Sequence, residues 1–447
     1  MNNADTITKR QFVALVFVSL LPPLIRRFPR LLAALAGRSA WIAAVLAALP
    51  LSIAVMGFRL LYRRAAPGSG FPEILTALLG SAAAKRVTGL YSLWMLFYAG
   101  FLLRSGGLRF VSTVYPGAST GVFVLSGALV CACAASGSLR ALGRCAMILR
   151  PLLAAIPVLV FLLTVKDADF RLLLPVPGGA DPGALALSAL RVTNIFGVAV
   201  YFSFFGSAIG DGPFRRRDYL PWTAAVLGIT FLITAGALGL FGPELTARMN
   251  HPFFMLARDV SVLGALERVE PAAIAVWVFA DFLLVSTLLW TAAQNLRFCL
   301  YGPPCEAASS PAGAAAARAE AAGNTAPPAG GTDAGHSEVH SRAGLGGDAA
   351  GNGDTAESAA GRRPRSGAAG HTGKVFAPRR SVPWLSALCA ALAALAGTLL
   401  PEDAAAFAWL SDTLVPVLSA VFVFGLPALL LPLSLLRGPR PGPGQKH

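Results

Sequence analysis

The stretch QFVALVFVSLLPPLIRRFPRLLAA, residues 11–34, decides how this chain is read. About twenty apolar residues rising 1.5 Å each cross a hydrocarbon core ~30 Å thick, so the run has the length of a membrane span. Two prolines, Pro22 and Pro23, stand mid-span where a helix should continue. Nine further apolar stretches follow, near 40–61, 87–109, 120–136, 144–165, 185–209, 220–241, 272–297, 383–400 and 413–436. The sixth starts with Arg191 and is loosened by Asn194-Ile195-Phe196-Gly197 and then Gly206. A helix broken inside lipid exposes backbone groups that only protein or a wet cavity can satisfy. Breaks at matching places in two five-span halves therefore point to a binding site at the membrane midplane. The expected fold is an all-α integral membrane protein of about ten transmembrane helices, with helices 1 and 6 broken.

Composition excludes the soluble classes. Of 447 residues 55% are hydrophobic and 13% charged, about half the charge of a soluble domain. The formal net charge of +15 would suggest nucleic acid in a soluble protein, but no basic helix interleaved with aromatics is present. The basic residues flank spans instead. Lys9, Arg10, Arg63, Arg64, Lys85, Arg86, Arg140, Arg144, Arg215–Arg217, Arg362, Arg363, Arg365, Arg379, Arg380, Arg437 and Arg440 all fall on one side of a ten-span chain. The positive-inside rule places that side, and both termini, in the cytoplasm. Arg26, Arg27, Arg30 and Arg38 break the pattern by clustering at the outer end of the first span. No cleavable signal peptide is visible, and the six cysteines show no metal-ligand spacing.

Three segments are expected. Residues 1–301 hold spans one to eight, 302–381 form a cytoplasmic loop rich in Ala and Gly, and 382–447 hold the last two spans and a short tail. The loop has no sustained apolar period and cannot bury enough surface to offset its chain entropy, so disorder is expected, with His336, His340 and His371 solvated inside it. Short interfacial helices are expected before the third span, from Pro72, and between the seventh and eighth, over Pro252–Val262.

Within the spans, freed amides at a half-helix N-terminus favour a carboxylate, and freed carbonyls favour an ammonium or a cation. An amino acid carries both. Candidate ligand-binding residues are Pro22, Pro23, Tyr98, Asn194, Phe196, Gly197 and Tyr201, set against the commoner role of such residues as kinks and interhelical contacts. Asp281, inside the eighth span, is the candidate for ion coupling. The alternative reading pairs it with an arginine of another helix. No nucleotide loop, paired acid and histidine, or Ser-His-Asp arrangement suggests an enzyme, and no cofactor or metal is expected.

Four stations follow one another along the chain: Lys9-Arg10-Gln11 leading to Phe28-Pro29; Ala36-Gly37-Arg38-Ser39-Ala40-Trp41; Phe71-Pro72-Glu73-Ile74-Leu75 to Leu79-Gly80; and Pro243-Glu244 through Pro252 to Glu267-Arg268-Val269-Glu270 before Trp277. In that order they resemble the spore germination permease family, the B subunit of germinant receptors. The resemblance covers about residues 7–300. It implies the amino acid–polyamine–organocation transporter fold of two inverted five-helix repeats. It also implies germinant sensing, often of amino acids, in the inner membrane of a bacterial endospore. Implied partners are a larger A subunit, a lipoprotein C subunit, a small-molecule germinant and the lipid bilayer, without nucleic acid. The chain departs from the family at both breaks. Pro22-Pro23 replaces small Gly-containing residues, and Val198 stands where relatives often carry Glu. A proton-coupled amino acid or amine transporter, and a scaffold subunit with a vestigial pocket, are the alternatives.

Overall fold

A computed structural model describes residues 6–63, 70–113, 117–174, 181–195, 204–205, 208–209, 216–249, 251–259, 270–302, 383–401 and 403–436. The expected loop at 302–381 lies almost wholly outside the described residues, as do its three histidines.

Among the described residues the apolar runs are helical. α1 spans Lys9–Ala36; α2 (Ala40–Leu46) and α3 (Ala48–Arg63) share the second run; α4 is Phe71–Leu79 and α5 Ser81–Thr113. α6 (Thr120–Ser136), α7 (Leu139–Thr164) and α8 (Pro182–Ile195) complete the fourth to sixth runs. α9 (Arg216–Arg248), α10 (Pro252–Asp259), α11 (Glu270–Tyr301) and α12 (Pro383–Leu399) follow. The tenth run is α13 (Ala404–Trp409), α14 (Val415–Ala420) and α15 (Leu426–Leu436), joined by π-helical turns at Leu410–Leu414 and Val421–Gly425. Pro416 and Pro427 cannot donate to the helical ladder, and each π turn lies just before one of them.

α1 is apolar on every face, and a helix of that kind belongs in an interior. From Ala14 to Arg26 every residue is buried. Around it lie α7, α8, α9 and α11. Its start is fixed by a capping box, Thr8 accepting from the Gln11 amide while Gln11 accepts from the Thr8 amide. The Ile7 amide donates to the Ala208 carbonyl at 2.8 Å, and Lys9 pairs with Asp218 at 3.6 Å, so the chain start is tied to the segment before α9.

The outer shell faces lipid. Leu129 of α6 and Ile148 of α7 are 67% and 69% exposed, a cost in water that disappears in hydrocarbon. α5 and α12 cross backbone to backbone at Gly100 and Gly397, where a Cβ on Gly100 would lie 2.5 Å from the Ala393 carbonyl oxygen. Small residues permit this approach, a recurrent contact between membrane helices. Two interfacial helices form where expected, as α4 and α10. α4 meets α5 through Gly80 at φ 85°, and the α9 backbone turns at Gly242, φ 75°.

Candidate functional site

The first-span break takes a different form from the one expected. α1 stays helical through Pro22, Pro23 and Pro29. The φ that proline imposes is compatible with a helix; what it removes is an N–H donor. The carbonyls of Val18 and Ser19 therefore lose their usual partners without the chain unwinding. The Ser19 hydroxyl beside them is buried and has no hydrogen-bond partner among the described residues. At the sixth span, α8 is described as far as Ile195, and the expected break lies beyond it. The Asn194 side chain, and all of Phe196, Gly197, Val198 and Tyr201, lie outside the described residues.

Four elements bring charge together toward the side of the bundle that the charge bias assigns to the exterior: the second half of α1, the last turns of α5, the first half of α11 and the start of the tenth run. Each contributes charge. Arg26 of α1 donates through Nη1 to Asp281 Oδ2 of α11 at 3.0 Å, and Arg109 of α5 donates through Nη2 to the same oxygen at 2.8 Å. Arg26 is 3% exposed, Arg109 8% and Asp281 15%. Asp281 Oδ1 is buried and accepts no hydrogen bond among the described residues. One turn of chemistry away, Arg27 donates to Asp412 at 2.8 Å and lies 5.8 Å over the Phe101 ring.

Two small cavities adjoin these ion pairs. One, of about 50 Å³, is lined by Gly106, Arg109, Phe110, Ile274, Val278 and Asp281. The other, of about 40 Å³, lies between α1, α5 and the tenth run, with Pro23, Arg26, Tyr98 and Ser411 in its wall. Each has room for a few waters. Arg26 lines the second cavity and reaches Asp281 in the wall of the first, so the ion cluster is the partition between them.

Below the second cavity, aromatic rings form a continuous ladder. Phe407 meets Phe101 at 5.3 Å, Tyr98 follows at 6.1 Å and Trp94 at 5.7 Å, and Trp94 stacks on Phe422 at 5.4 Å. Phe422 meets Tyr91 at 5.0 Å, and the Tyr91 hydroxyl donates to the Phe422 carbonyl at 2.9 Å. Tyr91, Phe204 and Phe71 then close an edge-to-face cluster on α4. Tyr91, Trp94, Tyr98 and Phe101 recur at helical spacing, so one face of α5 carries the ladder.

His251, between α9 and α10, feels the same arginines. Burial first, then Arg26, Arg109, Arg27 and Arg30, pushes its imidazole down to about 3, and its buried Nδ1 has no hydrogen-bond partner among the described residues. At the opposite side of the bundle, Glu73 of α4 is pushed up from the usual carboxylate range by burial, against backbone N–H bonds from Glu73 and Gly70.

Of the sequence candidates, Pro23 and Tyr98 share one cavity, and Asp281 joins them through Arg26. The alternative pairing of Asp281 with another helix is the arrangement present, with two arginines rather than one. Sequence reasoning missed Arg109, Asp412 and His251. Arg109 closed the third apolar run and Asp412 sat one residue before the tenth, positions that read as solvated ends. Their partners are 172 and 385 residues away, so no local pattern marked them.

A family model described as "Spore germination protein" matches residues 6–300. No curated protein matches the chain. Among solved structures, the chain is similar to a Na+-coupled sialic acid symporter in a substrate-bound, outward-open state, with a TM-score of 0.52 and 11% identity over 96% of this chain and 79% of that one. At that identity the likeness is one of fold, a membrane transporter fold built of helices.

Proposed function

The chain belongs to the spore germination protein family, and from that premise we propose that it is the membrane subunit of a germinant receptor built on an amino acid–polyamine–organocation transporter fold. Its ligand is a small germinant, with an amino acid the first candidate, and its site is the cavity between α1, α5 and the tenth run. The observation that carries this reading is the convergence of Arg26, Pro23, Tyr98 and Ser411 on one small cavity inside a transporter fold.

Signalling needs no transport. A ligand that binds one arrangement of the helices better than another shifts the balance between them by its differential affinity. The cavity wall is shared by α1 and the tenth run, and the ring ladder continues from it to α4, so occupancy bears on elements at both ends of the bundle. The partners that would receive the shift are a larger A subunit and a lipoprotein C subunit in the inner membrane of the endospore.

The transporter reading asks Asp281 to take up and release a proton or cation. Two guanidiniums already engage its Oδ2, and a further cation there would meet like charge, which favours the receptor over coupled transport. The experiment is deletion of the gene in its native host, with spore germination measured against amino acids, sugars and nucleosides. Loss of response to one ligand class, restored by complementation, is the expected result. Normal germination to every ligand, with loss of solute uptake by growing cells, would replace the receptor with the transporter. Restoration by a variant with a filled cavity, such as Ser411→Phe, would establish the scaffold instead.

A further inference from the structure

Among the described residues the ion pairs at the two cavities do not balance. Arg26, Arg27 and Arg109 pair with Asp281 and Asp412, three guanidiniums against two carboxylates. The bonding is also incomplete in a particular way. Arg26 and Arg109 crowd onto one oxygen of Asp281 while its Oδ1, buried, accepts nothing among the described residues. A guanidinium binds a carboxylate best as a fork, with two parallel N–H···O bonds, and one shared oxygen does not provide that. Arg26 meanwhile lines the cavity beside Tyr98, Phe101 and Ser411.

We propose that Arg26 is the ligand-reading residue of this site, that the ligand is a small carboxylate, and that Asp281 is the built-in carboxylate it displaces. This rests on the reading of the cavity as the germinant site. An arriving carboxylate takes the fork of Arg26 while Asp281 keeps Arg109; with a monoanion such as propionate the charges become three against three, and an amino acid brings the same carboxylate together with its own ammonium. A ligand with no negative group leaves the excess in place, and a purely cationic ligand increases it. The exchange also couples binding to helix arrangement. Arg26 belongs to α1 and Asp281 to α11, so a ligand that captures Arg26 removes the ion pair that ties those two helices together.

The prediction has a sign that a merely structural ion pair would not give. With the full chain purified in nanodiscs, binding of propionate and L-alanine is measured against propionamide and L-alaninamide by tryptophan fluorescence. The two carboxylates are expected to bind at least about tenfold more tightly than their amides. Arg26→Gln is expected to lose that preference. Asp281→Asn, which removes the internal competitor and keeps the shape, is expected to bind propionate more tightly than wild type. A structural role alone would weaken both variants. Should Asp281→Asn fail to fold, Arg26→Lys serves: the charge stays and the fork is lost, so the carboxylate preference survives at reduced affinity. Equal binding of carboxylates and amides, or weakened propionate binding by folded Asp281→Asn, would overturn the role of Arg26 and leave the receptor reading intact. No binding of any probe, together with normal germination of the deletion strain, would overturn both.

Discussion

Consider Gly100→Ala, a change of one methyl group at the crossing of α5 and α12. An ideal Cβ there would lie 2.5 Å from the Ala393 carbonyl oxygen, 2.8 Å from the Gly397 nitrogen and 2.9 Å from the Ala396 Cβ. Ordinary contact begins at 3.4 Å, so the nearest atom is 0.9 Å too close. Two of the three obstacles are backbone, which cannot rotate aside; α12 as a whole must retreat. Overpacking of this kind costs about 1–3 kcal/mol, and the retreat also parts the Gly397 amide region from Val124 of α6. The control is Gly228→Ala in α9, where nothing lies within 4 Å of the new Cβ. There the residue only gains helix propensity, worth about 0.5–1 kcal/mol. Thermal unfolding in one detergent should move the two variants in opposite directions, Gly100→Ala down and Gly228→Ala level or up. Because Gly100 sits between Tyr98 and Phe101, Gly100→Ala should also weaken germinant response. Equal melting temperatures for both variants would refute the crossing as drawn.

The His251 imidazole, held down to about 3, ties stability to pH. Unfolded chain takes a proton near 6.5 and folded chain does not, so stability is full above that pH. It falls as pH drops from about 6.5 toward 3, by at most ~1.4 kcal/mol per unit; His251→Phe should flatten that slope in melts between pH 4 and 7. Arg27 and Asp412 are a quarter and a third exposed, so a double-mutant cycle of Arg27→Gln with Asp412→Asn should return about 1 kcal/mol or less. A coupling several times larger would mean the pair is buried in the membrane-embedded protein. Gly197→Leu should abolish germinant response while membrane insertion persists, and an unaltered dose–response curve in mutant spores would remove the sixth-span break from the site. Deleting residues 305–375 should leave the protein in the membrane at its normal level on immunoblots.

The same residues show which levels of structure each argument reached. Leu129, Ile148 and the unbroken apolar face of α1 declare themselves locally, because a span must be apolar over its whole length whatever its neighbours are. Gly80 and Gly242 likewise fell at the ends of apolar runs and became turns. Pro22 and Pro23 were legible as a perturbation but not as its form: a proline removes a donor, and whether the chain also unwinds depends on what surrounds it. Asp281 was conspicuous alone, as any charge in a span is, yet its meaning rested on Arg26 and Arg109.

Sequence by itself therefore determined the apolar, membrane-suited character of this protein, the helical runs seen among the described residues, and its family. These follow from hydrophobic length and from residues read in order along the chain. Only the tertiary structure decided that α1 is continuous, that two arginines share one carboxylate oxygen, and that Pro23, Tyr98 and Ser411 line one small cavity. Those facts join residues up to 388 positions apart, from Pro23 to Ser411. Helix assembly in a bilayer is governed by close approach of small residues and by ion pairs between distant segments, and neither leaves a period in the chain.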